Sequence, residues 1–520
     1  MQAMELSFKD YRDKLSGCWY GKNIGGTLGA PFECSRGVFE FDFYTQDLNG
    51  EPAPNDDLDL QLVWLNAVER FGRAVNASIL GEYWLSYITP SWSEYGQAKN
   101  NLRMGISPPL SGFLNNANRD SCGAFIRSEL WAALCPGRPD IAVKYAFEDA
   151  TVDHSFEGVY AAVFCAALQS AAFAVSDRET LIDTALSYIP ADCAIARVVG
   201  LVRKSYNDGV DWKECRKQIL INFPGMFGLA AGYGGRQPEP EIPKGRLGYD
   251  APSNIGIMIL GWYYGNGDFG KSLCIAAGCG EDADCTAATL GALFGIINGY
   301  SGLPQKWIKP IGNKIKTLSI NEGDHDCKIP KTIEELTDRI LKLTPVFLGT
   351  GLCRFSEDNP AYTIIMKEPE KLGNTSVRKG LSVETDFSDI VKRQPFSTRH
   401  TCPVAELVLD YIEPPYIKPL QEKRFILRFE NLMRSQQWLK ITAYAPEGFV
   451  VSPSPNLCVS LEQNHGNDGV REIEIRILTP EVLYAPKYEV LLDITFNGRH
   501  TRLFAPITLL NSPEPEIDRE

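Results

Sequence analysis

The chain has 520 residues, long enough for two or three domains, and its 44% hydrophobic and 22% charged residues describe an ordinary globular protein with ample core. A net charge of −13 argues against binding a nucleic-acid backbone, which needs a basic surface. The stretch Met1 to Asp10 has no apolar run of secretory type, and no span of about 18 apolar residues follows, so the expectation is a cytoplasmic protein with no membrane partner.

The fourteen cysteines show no CxxC pair or repeating spacing, and with five histidines they make no zinc pattern. Reduced, buried cysteines are expected.

In chain order, Gly17 to Glu33 is dense in glycine at near-helical spacing, the mark of a closely packed helix pair; it does not fit a dinucleotide loop. Asp56-Asp57 opens a segment in which Leu58, Leu62, Leu65 and Val68 share one helical face, with Gly72 as its stop. Tyr83 to Tyr95 and Ser107 to Asn118 are expected at a substrate entrance. Helices are also predicted over 140–150, 157–175, 178–188 and 332–343, within a helical region from about residue 8 to 350. Gly265 to Ser272 matches a phosphate-loop pattern letter by letter, but Asp268 would stand beside the phosphates and no alternation of strands and helices surrounds it. A junction between two helices is the better expectation. Asp282 and Asp284 then lie on a turn between Gly278-Cys279-Gly280 and a segment with Ala287, Gly291 and Gly295 every fourth residue. That stripe lets another helix approach closely.

Residues 351–400 read as an irregular linker or insert. From about 401 the period shortens to two, with strands over 424–429, 439–444, 471–477, 489–496 and 502–510 and a hairpin signal at Asn497-Gly498. The expected architecture is therefore an all-α domain over 1–350 and a small immunoglobulin-like β-sandwich over 401–520.

The chemistry is carried by the two acidic helix starts. Buried carboxylates cost several kcal/mol unless compensated, and a hard cation is the usual compensation. Convergence of Asp56, Asp57, Asp282 and Asp284 on a pair of oxygen-ligated divalent ions is the expectation.

Taken as an ordered set, these motifs resemble the ADP-ribosylglycohydrolase family, which includes the dinitrogenase reductase-activating glycohydrolases. The set comprises Gly29-Ala30-Pro31-Phe32-Glu33, the Asp-Asp helix start, Asp153-His154 at a further helix start, Gly267-Asp268-Phe269 and Asp282-x-Asp284. The resemblance spans about residues 10 to 345. It implies an all-α fold with two Mg2+ or Mn2+ ions in a central cleft and hydrolysis of a ribosyl-type N- or O-glycosidic bond in an ADP-ribosyl or other small glycosyl substrate. It implies metal ligation by Asp56, Asp57, Asp282 and Asp284, with Asn55 and Cys285 at ligand positions. Glu33, Asp57 and Asp282 would be catalytic, and Gly123, Asp153 and His154 would contact substrate. Asn55 and Leu58 stand where the family usually has threonine on either side of the Asp pair, Cys285 where it has a threonine ligand, and Glu281 where it has a small or apolar residue. A thiol is a poor ligand for a hard ion, so one of the two ions would be weakly held. These departures keep two alternatives open: a weakened binding or regulatory protein on the same scaffold, and a glycosidase acting on something other than ADP-ribose. Two-metal phosphoester hydrolysis is a third reading. The β-rich part would be an accessory domain, able to bring two copies of the chain together.

Overall fold

The computed structural model describes residues 4–223, 241–242, 249–322, 327–356, 359–378, 381, 396–464 and 469–511. The chain forms two compact units. One comprises Met1–Asn76, Tyr87–Gln97 and Gly112–Val383; the other comprises Ala77–Ser86, Ala98–Ser111 and Glu384–Glu520.

The first unit is helical and is organised by the pairing of two helices far apart in sequence, the first one and the one that follows Asp282. Ser7 caps the Phe8–Gly29 helix, its hydroxyl accepting from the Asp10 amide at 3.1 Å. Every residue from Gly17 to Gly29 is buried. This helix lies antiparallel to Ala283–Asn298, with Gly17, Gly21, Gly25 and Gly29 against the backbone of Gly295, Gly291, Ala287 and Ala283. A Cβ on any of the four would fall well inside 3 Å of that backbone. The expected close helix pair is thus formed by the two small-residue stripes facing each other.

The predicted 57–71 helix runs Asp56–Phe71 and ends at Gly72, whose φ of 53° suits glycine. The phosphate-loop look-alike is a helix junction: Asp268 caps the Phe269–Gly278 helix, accepting from the Lys271 amide at 2.7 Å.

Two elements differ from the sequence expectation. The 332–343 helix continues to Leu348 through Pro345. Proline cannot bond the carbonyl four residues back, which is Leu341, but the Tyr362 hydroxyl donates to that carbonyl at 2.6 Å instead. The stretch read as irregular from 351 contains strands Cys353–Ser356 and Asn359–Met366, the latter also pairing with Met4–Leu6 to make a three-stranded sheet. Pairing between the two ends of a 360-residue stretch leaves no local period to read.

The second unit holds two antiparallel sheets. One orders Val450–Ser452, Val470–Leu478, Glu422–Asn431, Ala405–Asp410 and Ser397–Thr401; the other orders Asn456–Leu461, Gln437–Tyr444, Lys487–Phe496 and Arg502–Leu510. Strand burial alternates, as in Ala405–Asp410 and Arg502–Leu510, which is the sandwich pattern. A helix, Ala77–Tyr87, contributes Glu82 to this unit, a carboxylate 1% exposed and ion-paired with Arg499 at 3.5 Å. Burial raises Glu82 to about 7, and Arg499 pulls it back. In an Arg499→Met variant that restraint is gone. A carboxylate with a raised folded-state pKa costs stability as pH rises above its unfolded value, so the variant should lose about 1–3 kcal/mol at pH 8 and less at pH 5, by urea melts at both. An equal loss at the two pH values would refute the pairing.

Candidate active site

The approach of the two glycine stripes sets the site. Because Gly25 and Gly29 lie against Ala287 and Ala283, the turn carrying Asp282 and Asp284 is pressed against the end of the first helix. Asn55 joins them to the third element. As N-cap of the Asp56–Phe71 helix it accepts from the Asp57 amide at 2.7 Å, and its Nδ2 donates to Asp284 Oδ2 at 3.3 Å. Gly26 leaves room for that side chain; a Cβ there would strike Asn55 Nδ2.

Glu33 is brought in by a short pairing the sequence does not announce. Ser35-Arg36 pairs antiparallel with Gly280-Glu281, and the Arg36 guanidinium holds both oxygens of Glu281, at 2.7 and 2.9 Å. Phe32 stacks on Phe41 with ring centroids 4.4 Å apart. Cys34 and Glu281 both adopt left-handed backbone, with φ of 59° and 63°. Non-glycine residues in that region are strained, and such strain gathers at functional sites. Glu281, the residue out of keeping with the family resemblance, therefore closes this clamp.

The result is a cavity of about 590 Å³ whose wall includes Glu33, Asn55, Asp56, Gly123, Asp282, Asp284 and Cys285. Ligand atoms of Glu33, Asp282 and Asp284 lie within 4.8 Å of one another, as do those of Asp57, Asp284 and Cys285. Asp57, Asp282 and Asp284 are buried, and Glu33 sits exposed at the rim. Asp59, the third acid of the helix start, is not part of the cluster; its Oδ2 accepts from the Leu318 and Ser319 amides, each at 2.7 Å.

So many carboxylates in one cavity resist ionisation. Burial is the main cause for each of them. Glu33 is exposed as a residue but its carboxyl lies among the other acids of the cavity, and loss of water there, with the charges of Asp56 and Asp57 adding to it, lifts it to about 7. Burial lifts Asp56 to about 7 and Asp57 to about 7, Lys22 restraining the latter. Asp284 rises to about 8 with the help of Glu33 and Asp56, and Asp282 rises well above the carboxylate range with the help of Asp284 and Glu33. Asp284 Oδ1 is buried and has no hydrogen-bond partner. Hard oxygens crowded together with an unpartnered buried oxygen fit a hard divalent ion.

Asp153 and His154 lie behind the cavity wall. His154 is fully buried, with Nε2 2.9 Å from Ser121 Oγ and Nδ1 2.9 Å from Asp153 Oδ1; Asp153 is also held by Arg127. Neither lines the cavity, and their place is to fix the wall at Gly123, which does. Of the two expected entrance segments, Trp92, Ser93, Glu94 and Tyr95 line the cavity, whereas no residue of Ser107 to Asn118 does. Thr286, next to Cys285, donates to the Ala283 carbonyl at 3.1 Å and turns away.

Within the expected entrance segment the structure singles out Glu94 and Tyr95, whose hydroxyl donates to Asp56 Oδ2 at 3.4 Å; Tyr249, whose hydroxyl meets Cys34 Sγ, gave no sequence signal. Lys22 did carry a signal. A charged residue inside the Gly-dense buried helix requires an anion, and Lys22 Nζ lies 3.4 Å from Asp57 Oδ2.

No curated protein sequence matches the chain. Among solved structures, an ASH/PapD-like domain of human CEP192 (PapD-like domain 7) matches at 16% identity over 26% of this chain and 98% of that one, with a TM-score of 0.15. The sequence pattern of ADP-ribosylglycohydrolases matches residues 7–346, the region that carries every residue of the acidic cavity. On that match, the chain belongs to the ADP-ribosylglycohydrolase family.

Proposed function

We propose that this chain is a divalent-metal-dependent hydrolase of a ribosyl-type N- or O-glycosidic bond, with ADP-ribosyl compounds as the first substrate class. Membership of the family supports glycohydrolase activity, and family members are generally metal-dependent. The observation that carries the finer reading is the convergence of Glu33, Asp56, Asp282 and Asp284 on one cavity, with Asp57 buried beside Asp284 and Cys285 and Asp284 Oδ1 left without a partner. Asp282, Asp284 and Glu33 would hold Mg2+ or Mn2+. When bound, such an ion polarises ligand oxygens and makes water a nucleophile near neutral pH.

The chain's own groups then have distinct parts. Glu33, at the rim and within 4.8 Å of Asp282 and Asp284, would serve as a ligand carboxylate that also orients water at the scissile position. Asp56 is oriented by the Tyr95 hydroxyl and faces the cavity. Trp92 and Tyr95, with ring centroids 6.4 Å apart and planes tilted by 30°, offer an aromatic wall for a ring of the substrate.

Release of free ADP-ribose from ADP-ribosylated peptides with Mg2+ present is the test, run beside simpler glycosides and nucleotide phosphoesters. Asp57→Ala and Asp282→Ala should each lose at least about 100-fold in rate, since removing even an outer partner of a metal ligand costs about 10–100-fold. Full activity in both variants would sink the metal-assisted reading. A second reading, a binding protein on this scaffold, is favoured by Cys285, whose thiol donates to Asp57 Oδ1 at 3.2 Å. Tight ADP-ribose binding without turnover would select it.

A further inference from the structure

The cluster contains two overlapping sets of donors that share Asp284: Asp57, Asp284 and Cys285 on one side, and Glu33, Asp282 and Asp284 on the other. They differ in what already neutralises them. Asp57 has a thiol at one oxygen and an ammonium facing the other, although Oδ2, like Asp284 Oδ1, is buried without a hydrogen bond. Oδ1 accepts from the Cys285 thiol at 3.2 Å, and Oδ2 faces Lys22 Nζ at 3.4 Å. Lys22 is itself fixed, 3.2 Å from Glu129 Oε1 and donating to the Ile126 carbonyl at 2.6 Å, and the side chains of Lys22, Asp57 and Glu129 are at most 1% exposed. Gln61 and Gln169 donate to the same Glu129 carboxylate at 2.9 and 3.0 Å, so the ammonium sits in a fully built socket. Across the cavity, Glu33, Asp282 and Asp284 have no ion-pair partner among the described residues, and Asp284 Oδ1 is buried without a hydrogen bond.

We infer that Lys22 is a built-in cation that takes the place of one metal ion, so that the cavity holds a single divalent ion, on the Glu33–Asp282–Asp284 side. The inference rests on the metal-assisted reading above and narrows it. Two positive centres sharing Asp57 would repel each other in a poorly solvated pocket. The thiol on that side adds a soft donor that a hard ion does not favour. The all-carboxylate side has the opposite character, hard donors and no cation of its own. Lys22 acts through Asp57 and is a positioning residue: it holds the Asp57 carboxylate toward the Phe8–Gly29 helix on which Lys22 stands.

The test is a count of bound Mn2+ on the metal-stripped full chain, by equilibrium dialysis together with electron paramagnetic resonance. One equivalent per chain with the signal of an isolated Mn2+ is expected. Lys22→Gln keeps a donor for Glu129 and the Ile126 carbonyl but removes the charge; it should admit a second Mn2+, at least ten-fold tighter than any second binding to the wild type. Lys22→Arg keeps the charge and should stay at one. Two equivalents of similar affinity in the wild type, or a spin-coupled pair, would overturn the single-ion inference and leave the hydrolase reading standing. No bound Mn2+ at all would overturn both. Should Lys22→Gln not fold, the wild-type count and its signal decide the matter alone.

Discussion

Replacing Asp284 with asparagine should abolish hydrolysis and at the same time stabilise the metal-free protein. The two effects have one cause. Asp284 is buried among like charges, with its pKa raised to about 8 by burial and then by Glu33 and Asp56. A carboxylate whose pKa is higher folded than unfolded stabilises the fold only while it is protonated. Its contribution is intact below the unfolded value of about 4 and is lost as pH rises toward about 8. Asp56 and Asp57, each raised to about 7, act in the same direction. The metal-free wild type should therefore lose stability steadily between pH 5 and pH 8, and Asp284→Asn should flatten that slope. A gain on the order of 1–2 kcal/mol at pH 8 is expected, allowing for water in the cavity. Mg2+ should raise the wild-type melting temperature by mass action and leave the variant unmoved. Hydrolysis should fall by at least about 100-fold. Thermal melts across pH, with and without Mg2+, check all of this. A wild-type stability that rises with pH over this window without metal would refute the electrostatic account.

The second large effect is expected from one methyl group. Gly25→Ala would push a Cβ into the Ala287 carbonyl, and Ala287 backbone cannot swing aside as a flexible side chain could. The helices would have to part. Overpacking of this kind costs about 1–3 kcal/mol and more when backbone is the obstacle, so a loss of about 3 kcal/mol or more is expected in urea unfolding. Parting the helices also withdraws Asp282 and Asp284 from Asp56. Even under conditions where Gly25→Ala stays folded, its Mn2+ affinity should drop at least ten-fold. Gly200→Ala is the control, since nothing lies within 4 Å of where its Cβ would stand. Equal stability of the two variants would show that the stripe is not the close contact.

Much of the fold was legible because secondary structure is written in local period. Leu58, Leu62, Leu65 and Val68 mark their helix, Gly72 ends it, and the alternation in 471–477 and 489–496 marks strands. The acidic helix starts were legible because buried acids are rare without compensation, and the glycine stripes because spacing by four reports a helix face. What local period cannot carry is which distant groups meet. The Met4–Leu6 strand, the Tyr362 hydroxyl on the Leu341 carbonyl and the Arg36–Glu281 clamp each depend on the chain returning to itself. His154 shows the limit in the other direction: only the family resemblance makes it a substrate contact, and packing buries it behind Gly123.

By itself, then, the sequence determined the helical and β-rich halves, the stripe that lets two helices touch, and the acids carried at the helix starts. Only the tertiary structure decided that Glu33 reaches those acids and that Lys22 stands between Glu129 and Asp57. The physical reason is that spacing along one helix fixes a face, whereas the neutralisation of a buried charge depends on whatever the rest of the chain packs against it.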